Sequence, residues 1–114
     1  MRRLLLSFSL LLAFTVQAQD EPSKKELKAR SLLEAGKPYK AIALCNDHLA
    51  GSAAEPRFYV LRADGYNRIG EYAKALADAR TARALFPTSV EGLYQLALAE
   101  QGVAARQLHP IHPR

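Results

Sequence analysis

The residues of this 114-residue chain best suited to hold a metal or act as a nucleophile are one cysteine and three histidines, and they fall in two places. Cys45 and His48 stand at i and i+3, a spacing that can bring a thiolate and an imidazole to one cation from a single helix face. A stable zinc site needs a third and usually a fourth ligand, and none stands beside them. His109 and His112 flank Pro110-Ile111 in a segment that offers no fixed geometry. The sequence contains no His-Glu-x-x-His, no phosphate-binding glycine loop and no Gly-x-Ser-x-Gly elbow. No serine or cysteine can be paired with a histidine and an acid. The expectation is a chain that is not an enzyme, with no catalytic residue, no cofactor and no metal. Cys45 and His48 are expected to be packing residues.

Helices must position whatever function there is, because no strand-like alternation occurs between Ser23 and Gly102. Ser23-Lys24-Lys25-Glu26 reads as a capping box opening a first helix to about Ala35, with Ala29, Leu32 and Leu33 as its apolar stripe. Gly36 supplies the C′ stop and Pro38 the first turn of a second helix, which runs to about Leu49 and buries Ala41, Ile42, Cys45 and Leu49. Pro56 opens a third helix, with Tyr59, Ala63, Tyr66 and Asn67 stepping round it, and Gly70 ends it. A fourth, from Tyr72 to Leu85, presents Ala75, Leu76, Ala79 and Ala82, with Leu85 and Phe86 expected to bury against the next helix. Thr88-Ser89-Val90-Glu91 reads as a second capping box, opening a fifth helix to about Gly102.

These elements repeat. Displacing Pro56–Ser89 back by 34 residues lays Ala63, Gly70, Lys74 and Ala75 on Ala29, Gly36, Lys40 and Ala41; displacing it forward lays Ala63 on Ala97. A fixed period of this length marks a helical repeat array. Ala63, Tyr66, Gly70, Tyr72, Ala75, Ala79, Ala82 and Pro87 together resemble the pattern of a tetratricopeptide (TPR) repeat. The first repeat departs from it at Leu32, Pro38-Tyr39 and His48, and the third has only its first helix. The resemblance spans residues 22–102 and implies an all-α fold, a short solenoid of antiparallel helix pairs, divided at 23–55, 56–89 and a partial 90–102. Such arrays hold a peptide or partner helix in a concave groove lined by the first helix of each pair. Here that groove would show Arg30, Leu33, Arg57, Val60, Leu61, Asp64, Arg68, Tyr94, Gln95 and Leu98. Some TPR domains clamp a chain-terminal carboxylate with Lys, Asn and Arg on this face; Glu26, Arg30, Leu61, Glu91 and Gln95 occupy the matching places, so that activity is not carried over.

The remaining segments set the compartment. Arg2-Arg3, the apolar run Leu4–Val16 and Val16-Gln17-Ala18 form a secretory signal, residues 1–18, with cleavage before Gln19. This thirteen-residue run, interrupted by Ser7, Ser9 and Thr15, is too short for a membrane span, which needs about 20 residues. The mature chain, periplasmic or secreted, begins with a frayed lead-in at 19–22. Loss of Arg2 and Arg3 lowers the net charge from +5 to +3. Arg57, Arg62, Arg68, Arg80 and Arg83 alternate with Asp64, Glu71 and Asp78, a mixed solvated surface rather than the basic stripe nucleic acid requires. With Pro110 and Pro113 in it, residues 103–114 are expected to be a disordered tail, leaving the fifth helix open on one side. The expectation is therefore an exported protein-binding scaffold whose partner is a protein or peptide. The alternative is a structural element that self-associates through its last helix, or a shortened copy of a longer array.

Overall fold

The computed structural model describes residues 21–108. The expected signal segment, His109 and His112 lie outside them. Five helices follow one another: α1 Lys24–Glu34, α2 Pro38–Gly51, α3 Pro56–Arg68, α4 Tyr72–Leu85 and α5 Val90–Leu108. No strand occurs among the described residues.

The two glycine turns are copies of each other. Gly36 and Gly70 adopt φ of 75° and 77°, a region that a Cβ makes costly. At the first, the Lys37 amide donates to the Leu32 carbonyl at 2.8 Å and the Gly36 amide to Leu33 at 3.1 Å; at the second, Glu71 donates to Tyr66 at 2.9 Å and Gly70 to Asn67 at 3.2 Å. Each is a Schellman closure that satisfies the last free carbonyls of a helix. Pro38 and Pro56 start α2 and α3 in the first turn, where a missing N–H costs nothing.

The expected caps form in altered ways. Ser23 Oγ accepts the Glu26 amide at 3.1 Å, but the Glu26 carboxylate turns to Arg30 and Arg57 rather than back to its own helix. At α5 the capping side chain is Ser89, whose Oγ accepts the Gly92 amide at 3.0 Å, and Glu91 is drawn away by Arg30.

Each helix packs on the next, and α3 also packs on α1 and α5, whereas α2 and α4 do not touch. Helix α3 is therefore covered on most sides. One core cluster joins Ala29 and Leu33 to Ala41, Cys45, Leu49, Phe58 and Leu61; a second joins Ala63 to Ala75, Ala79, Leu96 and Ala99. The two levels are packed differently. His48 stacks on Phe58 with ring centroids 3.8 Å apart, filling the space between α2 and α3. The residues one period later are Ala82 and Gly92, both buried, so a pair of rings in the first level is matched by two of the smallest residues in the second. Gly65 serves the first level: a Cβ there would stand 2.7 Å from Ile42 Cγ1.

Two expectations fail near the end of the chain. Helix α5 does not stop at Gly102 but continues to Leu108. Gly102 is a contact residue rather than a terminator: the ring of Tyr72 occupies the space its Cβ would need. Leu85 and Phe86 remain 45% and 46% exposed, because Phe86 leaves the helix in extended backbone and α5 packs on the other side of α4.

Candidate protein-binding face

Helices α1, α3 and α5 bring the expected groove residues to one side, but they do not leave them all accessible. Leu33, Val60 and Leu61 are core residues, 2%, 4% and 0% exposed. The expectation that they line an open groove is corrected by the position of α3 between four other helices. Val60 lies against α5 where Gly92 has no side chain, 3.4 Å from where a Cβ would stand. Gln95 is also buried.

The charged residues of this face bind one another. Arg30 donates to both carboxylate oxygens of Glu91 at 2.8 Å and reaches Glu26 at 3.3 Å. The Glu91 hydrogen bonds raise the Arg30 pKa above its ordinary value, against the opposing effect of burial. Arg57 meets the other Glu26 oxygen at 3.3 Å. Arg68 pairs with Asp64 at 2.7 Å and donates to the Leu33 carbonyl at 3.0 Å, tying α3 to the end of α1. Two arginines against Glu26 and Glu91 balance in charge, so this cluster is no anion site. Beside it a cleft of about 280 Å³ is lined by Pro22, Arg57, Val60, Phe86 and Ser89.

Accessible apolar surface is concentrated on α5. Tyr94 is 60% exposed, and Leu98, one turn on, is half-buried. Next to Leu98 a second cleft, about 320 Å³, is formed with Asn67, Tyr72, Gln101 and Gly102. Asn67 donates through Nδ2 to the Gln95 carbonyl at 3.1 Å and to Gln95 Oε1 at 2.9 Å. Its Oδ1 is buried and has no hydrogen-bond partner among the described residues. An orphaned buried amide oxygen costs about 1–3 kcal/mol. Sequence reasoning missed Asn67 because its place on the apolar stripe of α3 marked it as a packing residue. It missed Phe86 because a terminal aromatic reads as core.

The other residues singled out by their chemistry are held within the fold. Cys45 is fully buried, and burial pushes its thiol up to about 12. His48 Nε2 lies 2.9 Å from Glu55 Oε2, with the ring flat on Phe58. Among the described residues no three metal-ligating side chains cluster, and no helix is long and apolar enough to cross a membrane. Arg62 is not a surface charge as its spacing suggested. It donates to both oxygens of buried Asp78 at 2.7 Å and to Asn46 at 2.9 Å, joining α2, α3 and α4.

No family model, curated protein or solved structure matches this chain.

Proposed function

We propose that the chain is a non-enzymatic, exported protein-binding scaffold built of TPR-like helix pairs. The repeat reading is supported by the two Schellman closures one period apart and by the equal burial of Ala29 and Ala63. It is supported too by the contacts among α1, α3 and α5 without any between α2 and α4, as expected of pairs stacked through their first helices. The observation that carries the binding role is the pairing of an exposed apolar strip with an unmet acceptor. Tyr94 and half-buried Leu98 offer surface to an apolar side chain, and Asn67 lines the adjoining cleft, where opening would bring its buried Oδ1 to a backbone N–H of an extended segment. The occupant is a peptide or an unfolded stretch of a partner that carries an apolar residue beside a free amide.

Selection from a random peptide library, followed by amide chemical-shift mapping, tests this. Selected peptides should perturb Asn67, Tyr94 and Leu98, and Tyr94→Ala should weaken binding at least about tenfold, the scale of a lost aromatic anchor. Failure to select any peptide, or perturbations confined to α2 and α4, would overturn the proposal.

A further inference from the structure

The outer side of α5 carries a second surface, which adjoins Tyr94 and shares Gln101 with the Asn67 cleft. It shows Leu93, Ala97, Glu100, Gln101, Ala104 and Leu108, all exposed. By the 34-residue period Ala97 corresponds to Ala29 and Ala63, which are fully buried under α2 and α4. So this is the side of α5 where the second helix of a pair would lie.

The spacing of the six residues identifies an occupant. Read forward they are Leu, Ala, Glu, Gln, Ala, Leu at intervals of four, three, one, three and four; read backward the intervals are the same and only Glu and Gln exchange. We infer that this surface pairs antiparallel with the same surface of a second copy of the chain, about a two-fold axis between Glu100 and Gln101. Leu93 then meets Leu108 of the second copy, and Ala97 meets its Ala104, small against small, which lets the helices approach closely. Glu100 faces Gln101 of the second copy, an amide donor, rather than another carboxylate. The two-fold makes each contact twice, as a self-complementary interface requires. A single pair of helices about 28 Å long buries little area, so the dimer is weak and concentration-dependent.

Two measurements on the full chain test the register. In sedimentation equilibrium from about 5 to about 500 μM, the chain should pass from monomer toward dimer. Gln101→Lys should tighten association by roughly two- to fivefold and Gln101→Glu weaken it by a similar factor, since each places a charge opposite Glu100 of the second copy, twice. Under oxidation, a mixture of Ala97→Cys and Ala104→Cys chains should form a disulfide-linked dimer, while neither variant alone does. In the proposed register two Ala97→Cys positions lie roughly 10 Å apart along the axis, beyond disulfide reach. A monomer throughout the range would overturn the proposal. Cross-linking of Ala97→Cys chains with themselves would indicate a parallel pair and would overturn it equally.

Discussion

The ring of Tyr72, the first residue of α4, lies on the backbone of Gly102, in the space a side chain would take. The Arg106 guanidinium stands 5.2 Å from the ring centroid. Tyr72 thus grips α5 at the point where the sequence suggested its end and again one turn later. Alanine at position 102 would gain helix propensity of about 1 kcal/mol and force the ring aside, costing about 1–3 kcal/mol. Gly102→Ala should therefore lower stability in urea despite being the better helix former. Tyr72→Ala should speed amide exchange at 103–108 far more than at 92–99. Equal acceleration of both stretches would show that the last turns do not depend on this contact.

Ala63 and Arg62 are neighbours that test different forces. Ala63 is fully buried in the second core cluster, and Ala63→Leu overpacks it at about 1–3 kcal/mol. Arg62→Leu removes the partner of Asp78, whose side chain is 8% exposed, and an abandoned buried carboxylate costs roughly 2–4 kcal/mol. Both single variants should be destabilised in urea. Arg62→Leu combined with Asp78→Leu should recover at least half of the arginine loss, because no charge is left stranded. A double variant as unstable as the sum of its parts would show that the pair's value is packing.

How far the sequence reveals this molecule follows from the reach of each signal. Gly36, Gly70, Pro38 and Pro56 act on the chain beside them, and the turns and helix starts stand where those residues place them. The apolar face of a flanking helix, such as Ala41, Ile42, Cys45 and Leu49 on α2, is legible from period alone. Helix α3 is not, since its exposure depends on the helices flanking it in space; hence Val60 and Leu61, placed on an open groove by register, are core. Charged residues are least legible. The spacing of Arg62 and Arg57 is that of a surface, and only the tertiary structure brings Asp78 and Glu26 to them. Exposed Tyr94 and half-buried Leu98 were visible; the unmet acceptor of Asn67 required knowing where Gln95 would stand.

Cys45 should make the fold sensitive to alkali. Burial raises its thiol to about 12 in the folded chain, against the ordinary thiol value of 9.0 that the unfolded chain approaches. Between these values the folded state holds the proton that the unfolded state releases. The contribution is fully present below the unfolded pKa and is lost as pH climbs toward the folded one. Melting temperature should fall between about pH 9 and 11 more steeply for the parent chain than for Cys45→Ala, the comparison that removes tyrosine titration common to both. The same burial should keep the thiol unreactive toward an aromatic disulfide reagent until the chain unfolds. Parallel pH profiles, or a thiol that reacts at once in the native chain, would contradict this.

Arg30 and Glu91 join two helices that do not otherwise pack on each other. Helix α1 touches α2 and α3, α5 touches α3 and α4, and the guanidinium crosses between them to the carboxylate of Glu91. Side chains 36% and 38% exposed set the scale of a surface pair, so a double-mutant cycle of Arg30→Ala and Glu91→Ala should give a coupling of about 0.5–1 kcal/mol, its upper end reflecting the bidentate geometry. Raising salt to about 1 M shortens the screening length to roughly 3 Å and should remove most of it. Glu26 sits deeper, with its side chain 6% exposed between Arg30 and Arg57. Glu26→Ala should therefore cost more than Glu91→Ala and lose less of its effect in salt, because two guanidinium groups would lose a partner that water replaces poorly. The urea midpoints of these variants at low and high salt decide the matter. A coupling near zero at low salt would reduce the Arg30–Glu91 contact to a surface arrangement without consequence for how α1 and α5 unfold.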